Sequence, residues 1–153
     1  MLRENFQQKL KEAQFAKDEI TVGTLRLIIA AMKDRDIAAR AKGNWDGIPD
    51  SEILSMLQTM IKQRLESIKM YEAGKRKDLM DQEQAEIRII ENFLPKQLNE
   101  DETKKAIEAS ISTVGAAGIK DMGKVINDLK TKYAGQMDFA RVSGLVKERL
   151  AGG

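Results

Sequence analysis

Apolar residues recur at three- and four-residue spacing along almost the whole chain, and no useful stretch alternates apolar and polar residues as a strand would. This pattern is typical of amphipathic helices packed around a core. In the best-marked segment the apolar residues at helical spacing are Ile53, Leu57, Met60, Ile61, Leu65 and Ile68. The sequence therefore predicts an all-α protein.

The first part of the pattern predicts two helices followed by a loop. The apolar stripe is interrupted near Lys17–Asp18, which separates the first helix from the second. Residues 42–50 contain two Gly, one Pro, Asn and Asp, a composition typical of turns. We therefore expect a loop there, with a third helix directly after it and Asp50 or Ser51 as the N-cap of that helix.

The third and fourth helices are expected to form an antiparallel hairpin. Gly74 suits a left-handed cap at the end of the third helix, and the fourth begins only a few residues later, near Asp78. Pro95 disfavours helical geometry at the preceding residue and predicts the end of the fourth helix there. The predicted organisation is an N-terminal helical hairpin domain of longer helices, residues 1–94, and a second domain, residues 95–153.

The second domain is predicted to be a compact bundle of three shorter helices. Asn99 and Glu102 have the spacing of a capping box, and Asp138 is a suitable N-cap for the last helix. The expected helices cover about 100–113, about 120–134 and about 138–151. The residues after 95 also carry the whole net charge of +2, because residues 1–95 contain as many acidic as basic side chains.

The absence of Cys and His limits the chemistry that the chain can perform. It leaves no thiol nucleophile, no imidazole base and no Cys-ligated metal site. Glu83 and Glu86 share one helix face and could place two acids in one cleft, although acids on a helix face usually serve solvation. We predict no catalytic residue, no metal ligand and no cofactor.

The helix expected at 120–134 carries the most informative charges. Its apolar stripe leaves polar side chains on the opposite side, and a glycine leaves the backbone uncovered in the first turn. A helix N-terminus of this kind, flanked by lysines, suits a phosphate group. The predicted RNA-binding residues are Lys120, Gly123, Lys124, Asn127, Lys130 and Lys132. The alternative is an ordinary solvated face in which Lys124 pairs with Asp128.

Other conspicuous residues have two interpretations each. Trp45, the only Trp, is interpreted as a lid over the open end of the hairpin, with an interface anchor as the alternative. The cations of the hairpin, Lys62, Arg64 and Arg88, are interpreted as surface charges first and as a second RNA contact second. Methionines on apolar stripes are interpreted as core residues, with a groove for partner helices as the alternative.

Five segments of the chain form a recognisable set when they are taken together. They are TLRLIIAAMK at 24–33, IKQRLESI at 61–68, EIRIIE at 86–91, FLPKQL at 93–98 and DMGKVI at 121–126. This set resembles the GatB/YqeY family over nearly the whole chain, in the form of a stand-alone YqeY-like protein. The resemblance implies two helical domains and kinship with the C-terminal tail of the B subunit of the glutamine-dependent aminoacyl-tRNA amidotransferase.

In those relatives the tail binds the outer corner of tRNA and performs no chemistry. The resemblance therefore implies a surface that contacts the tRNA backbone around Gly123, Val125 and Ile126. Gly135 and residues 142–150 are implied to lie beside that surface. We therefore expect a non-catalytic tRNA-binding accessory module. There are two alternatives. The chain could be a component of the amidotransferase, because the family carries a label as a carbon–nitrogen ligase with glutamine as amido-N-donor. It could also be a helical protein–protein adaptor.

The expected partners are tRNA and, beyond it, aminoacyl-tRNA synthetases or amidotransferase components. A membrane and DNA are not expected as partners. The first residues contain no apolar leader, and the longest apolar run, 27–32, is far too short to span a bilayer. The expected location is the cytoplasm, where the chain would take part in translation.

Overall fold

The computed structural model describes residues 2–152, and these residues form α-helices joined by turns and one short 3₁₀ segment, Ile119–Asp121. Within this range there is no strand, so the all-α prediction is confirmed. No helix in the same range is long and apolar enough to cross a membrane. The α-helices are α1 (Leu2–Phe15), α2 (Glu19–Arg40), α3 (Asp50–Ala73), α4 (Lys77–Glu91), α5 (Glu100–Val114), α6 (Met122–Lys132) and α7 (Phe139–Ala151).

The chain divides between α4 and α5 into two compact units, unit 1 (Met1–Leu94) and unit 2 (Pro95–Gly153). The division lies at the position where the sequence places a domain boundary. Helix α4 itself ends at Glu91, before the predicted end, because the amides of Phe93 and Leu94 bond to carbonyls three residues back and tighten the chain into a turn. Whether each unit folds by itself, as a domain would, stays a prediction.

Unit 1 is built around one apolar core to which its four helices and one loop residue contribute. Phe6 of α1 packs edge-to-face against Phe93, with the ring centroids 4.9 Å apart. Helices α3 and α4 are joined by a short link and pack against each other, as expected for the hairpin. The buried core residues are Phe6, Leu25, Ile28, Ile29, Met32, Ile48, Ile53, Met56, Leu57, Met60 and Ile90.

The start of α3 differs from the prediction. Pro49 is the N-cap, and neither Asp50 nor Ser51 holds that position, so this prediction is wrong. The ring of Pro49 restricts φ to the range that an extended N-cap residue needs, and φ is −73° with ψ 165°. The carbonyl of Pro49 accepts the first helical hydrogen bonds, from the amides of Glu52 and Ile53. The helix therefore begins directly after the proline.

The break between α1 and α2 is confirmed, and the cap predicted at the end of α3 is wrong. Asp18 is the N-cap of α2 and accepts a hydrogen bond from the Thr21 amide at 3.2 Å. Gly74 has φ −88°, because its amide still bonds to the Met70 carbonyl as a helical residue would. The left-handed conformation falls one residue later, on Lys75, with φ 57°.

The loop between α2 and α3 is fixed by the guanidinium of Arg3. Two of its nitrogens each donate to a carboxylate oxygen of Asp36 at 2.7 Å, and one also donates to the Ile48 carbonyl at 2.9 Å. The Ile48 amide donates to the same carboxylate at 2.8 Å. Gly47 has φ +92°, and a Cβ there would lie 2.6 Å from the Arg3 guanidinium. Glycine therefore allows the arginine to reach the loop; Arg3, Asp36 and Ile48 are called the loop clamp below.

Trp45 does not cover the hairpin, and its interpretation as a lid is wrong. Its side chain is 74% exposed, and the Arg40 guanidinium lies 5.6 Å from the centroid of its ring. Ile48 is the loop residue that enters the core. The clamp explains the difference, because it draws the backbone at Ile48 toward α1 and α2 and leaves Trp45 on the outer side of the loop.

Unit 2 follows the predicted three-helix plan. The capping box at the start of α5 is confirmed. The Asn99 side chain accepts a hydrogen bond from the Glu102 amide at 2.8 Å, and the Glu102 carboxylate accepts one from the Asn99 amide at 3.1 Å. Asp138 caps α7 by accepting the Ala140 amide, which is also as predicted. The core of this unit consists of Ala106, Ile107, Val125, Leu129, Met137, Val142, Val146 and Leu150.

Candidate RNA-binding face of unit 2

Helix α6 places most of the predicted site residues on one exposed side. Val125 and Leu129 are fully buried in the core of unit 2 and fix the rotation of the helix. The residues on the opposite side are exposed, and the 3₁₀ segment before α6 adds one more lysine to them. We call this set the α6 face: Lys120, Gly123, Lys124, Asn127 and Lys130.

The amino end of α6 is not covered by a side chain, although its first amide, that of Met122, donates to the Ile119 carbonyl. No side chain caps the first turn, and a Cβ built on Gly123 would meet nothing within 4 Å. The first amides of a helix carry a partial positive charge that attracts anions. Because Lys120 and Lys124 lie on either side of Gly123 in the sequence and both are exposed, this end of the helix offers an anion both backbone dipoles and two ammonium groups.

Asp121 lies between these lysines but is largely engaged with the backbone before α6. Its carboxylate accepts the Ala117 amide at 2.9 Å, and this hydrogen bond is the main cause of the lowered pKa of Asp121. The Lys124 ammonium is 4.0 Å from the Asp121 carboxylate, while its own side chain is 72% exposed. An exposed contact at this distance is weak, so Lys124 remains available to a ligand.

Lys132 differs from the rest of the predicted set. Its ammonium lies 3.2 Å from the Asp128 carboxylate. That carboxylate also accepts a hydrogen bond from the buried Ser110 hydroxyl at 2.7 Å, which is the main cause of the lowered pKa of Asp128. The pair foreseen between Lys124 and Asp128 is therefore replaced by one between Lys132 and Asp128. Lys132 is partly neutralised by this acid, whereas Lys120 and Lys130 form no ion pair among the described residues.

In unit 1, Arg64 connects the two helices of the hairpin. Its guanidinium donates to the Glu86 carboxylate at 3.1 Å and to the Met60 carbonyl at 3.2 Å, and it lies 4.0 Å from Glu83. Only 12% of the Arg64 side chain is exposed, so its interpretation as a surface charge is wrong. Burial, together with the neighbouring Glu86, raises the pKa of Glu83.

These contacts make Arg64 a structural partner of Glu83 and Glu86. Within residues 2–152 no group of three His, Cys, Asp or Glu side chains is arranged to hold a metal ion. Arg64 supplies the positive charge that two neighbouring, half-buried carboxylates require. The other two hairpin cations, Lys62 and Arg88, are exposed, as their interpretation as surface charges requires.

The geometry defines a class of protein with two all-helical units, one of which carries an exposed row of lysines on a short helix. The model of the YqeY-like protein family matches residues 3–150, and the chain belongs to this family. The resemblance found in the sequence is therefore confirmed.

Curated relatives are mitochondrial proteins of yeasts. The chain is similar to "Altered inheritance of mitochondria protein 41, mitochondrial" of Saccharomyces cerevisiae strain YJM789, with 30% identity over 123 residues, 80% of this chain and 57% of the relative. The protein of the same name from Lachancea thermotolerans is 31% identical over 90 residues, 59% of this chain and 46% of the relative. The chain thus spans about half the length of these relatives. Its own location in the cytoplasm stays a prediction.

Proposed function

We propose that this member of the YqeY-like family is a non-catalytic accessory protein that binds folded RNA, and tRNA in particular, through the α6 face of unit 2. The observation that carries the proposal is the row of three exposed lysines on the α6 face, two of which lie beside the amino end of α6, where no side chain caps the helix. The resemblance of residues 121–126 to the tRNA-gripping tail of the amidotransferase B subunit supports the same surface.

The dimensions of the face suit contacts with several phosphates of one RNA backbone. Ten residues separate Lys120 from Lys130, which corresponds to a length of roughly 15 Å at the rise of a helix. Aromatic residues make up only 5% of the chain, and Tyr133 and Phe139, the aromatic residues of unit 2, both pack against its core. Recognition would therefore depend on backbone shape and charge more than on base stacking.

A salt titration of tRNA binding tests the proposal. Lysines that contact phosphates release counterions, so affinity falls with salt, and each lost contact flattens the log–log slope by roughly 0.7–0.9. The full chain with K120A/K124A should bind labelled tRNA more weakly and show a slope flatter by about 1.5. Binding would be measured by fluorescence anisotropy at several salt concentrations.

The matched control removes two other exposed lysines of unit 2. K104A/K105A changes the net charge by the same amount, and neither lysine lies on the α6 face, falls within residues 142–150 or forms an ion pair among the described residues. This control should leave the slope close to that of the unmodified chain. The proposal fails if both double variants weaken binding equally, or if tRNA binds no more tightly than duplex DNA of the same charge. The amidotransferase alternative stays a prediction from the resemblance.

A further inference from the structure

The outer side of α2 carries apolar residues that no other part of the described chain covers. The inner side buries Leu25, Ile28 and Met32 in the core of unit 1. On the opposite side Ile20 is 50% exposed, Leu27 51% and Ile37 59%. An exposed alanine and the exposed Asp34 lie between them. We call this set the α2 stripe: Ile20, Leu27, Ala30 and Ile37. Its spacing of three and seven residues is that of a helix seam that meets another helix.

Gly23 makes the stripe accessible to a close partner. It lies inside α2, where glycine weakens a helix. A Cβ at this position would meet nothing within 4 Å, so packing within the described chain does not require glycine there. A groove opens beside it, between the start of α2 and the end of α1, lined by Gln14, Lys17, Glu19, Val22, Gly23 and Arg26. The bare backbone therefore permits another helix to approach α2 more closely than a side chain would allow.

A row of cations follows one edge of the stripe. Arg26, Lys33 and Arg40 are exposed and spaced seven residues apart, which corresponds to intervals of roughly 10.5 Å along a helix. The exposed Glu19 precedes Arg26 at the same spacing. Arg26 and Lys33 form no ion pair among the described residues, and Arg40 lies over the exposed ring of Trp45. The loop clamp holds the loop that carries this ring, so Trp45 is fixed near the end of the row.

We infer that the α2 stripe is the docking site for an amphipathic helix of another protein, one with an apolar seam and an acidic side chain every seven residues along one edge. Such a helix would cover the apolar residues of the stripe and place one carboxylate opposite each cation of the row. Trp45 would then act as an anchor at the end of the interface.

The charges argue against the two other occupants. Two copies of α2 paired antiparallel would set Arg26 against Lys33, with Glu19 opposite Arg40 only at the two ends, and paired parallel they would face the row with Ala31 and Ala38. Neither arrangement compensates Arg26 and Lys33. A nucleic acid would satisfy Arg26 and Lys33, but it would leave the apolar residues of the stripe against a phosphate backbone. A protein helix with acidic edges satisfies both parts of the surface.

Two designed peptides test the chemistry of the occupant. Both are labelled 28-residue amphipathic helices with the same leucine seam, and they carry either Glu or Lys at every seventh position along one edge. The full chain should bind the Glu peptide about tenfold more tightly than the Lys peptide in anisotropy titrations, since three weak exposed ion pairs combine to a factor of this size. R26E/K33E should reverse that preference, and L27S/I37S should weaken both peptides.

The control K11E/K69E alters the net charge by the same amount at exposed lysines of α1 and α3, and it should keep the preference for the Glu peptide. An unchanged preference in R26E/K33E, or unchanged affinity in L27S/I37S, would overturn the inference. It would also be overturned if sedimentation showed a dimer of the chain that L27S/I37S dissolves, or if R26E/K33E abolished tRNA binding without altering peptide preference. All substituted side chains are exposed, and circular dichroism would verify that each variant is folded.

Discussion

The loop clamp makes a quantitative prediction about the stability of unit 1. Two hydrogen bonds from the Arg3 guanidinium, aided by the Ile48 amide, lower the pKa of Asp36 from 3.8 to about 2. A tenfold change in proton affinity corresponds to about 1.4 kcal/mol, so the ionised carboxylate of Asp36 contributes about 2 kcal/mol to folding. Only 16% of this side chain is exposed, so solvent screening is limited.

Asp36→Asn should therefore reduce the free energy of unfolding of unit 1 by about 2 kcal/mol at pH 7. Because the folded pKa is lowered, the contribution is complete above about pH 5 and is lost as the pH falls through 3.8 toward 2. The difference between the variant and the unmodified chain should shrink over the same interval. Urea unfolding, followed by circular dichroism and by Trp45 fluorescence as a reporter of unit 1, would measure both effects.

The matched control for this experiment is Asp34→Asn. Asp34 lies two residues away on the exposed side of α2 and forms no ion pair among the described residues. Its replacement should change the stability by less than about 0.5 kcal/mol, as is usual for surface positions. Equal effects of the two substitutions, or a difference between Asp36→Asn and the unmodified chain that persists undiminished at pH 2.5, would refute the role assigned to the clamp.

Two further substitutions test contacts elsewhere in the chain. Arg64→Met would leave Glu83 and Glu86 half-buried without their cation. We expect the free energy of unfolding, measured with urea at pH 7, to fall by about 3 kcal/mol. A loss below about 1 kcal/mol would contradict the structural role of Arg64. Asn99→Ala removes one half of the capping box of α5 and should lower the stability of unit 2 by about 1 kcal/mol, whereas the exposed Asn127→Ala on α6 should have little effect on the same measurement.

Features that depend on local spacing could be predicted from the sequence. The helical periodicity, the capping box at Asn99 and the cap at Asp138 each involve residues within four positions of one another, so one sequence suffices to find them. The start of α3 was harder to predict because a proline backbone can replace a capping side chain, as Pro49 does. The family could also be recognised, since its five segments extend over both units.

The contacts between helices were missed because their partners are far apart in the chain. Arg3 and Asp36 are separated by 33 residues, and Arg64 and Glu86 by 22. A signal was nevertheless present, since Asp36 lies four residues after the buried Met32, and Arg64 four residues after the buried Met60. A charged residue that continues an apolar stripe requires a buried partner of opposite charge. The sequence indicated that such partners exist but not which residues they are.

The exposed side of α2 was missed for a related reason. The run from Leu27 to Met32 is apolar throughout, and by itself it indicates a buried helix. The structure shows that only one side of this run enters the core, whereas Leu27 and Ala30 remain exposed. Which side of a uniformly apolar helix is covered depends on the neighbouring helices, and a single sequence does not specify their arrangement.

The two proposed surfaces lie in different units and differ in chemistry, so their functions can be separated. The α6 face combines lysines with a helix terminus that no side chain caps and lacks an apolar stripe, which suits a phosphate backbone. The α2 stripe combines apolar side chains with cations at heptad spacing, which suits an acidic helix. K120A/K124A should therefore alter tRNA binding and leave peptide preference unchanged, while R26E/K33E should do the reverse. A chain with both properties would link an RNA to a protein without performing chemistry itself, and a variant that lost both together would show that the two surfaces are not independent.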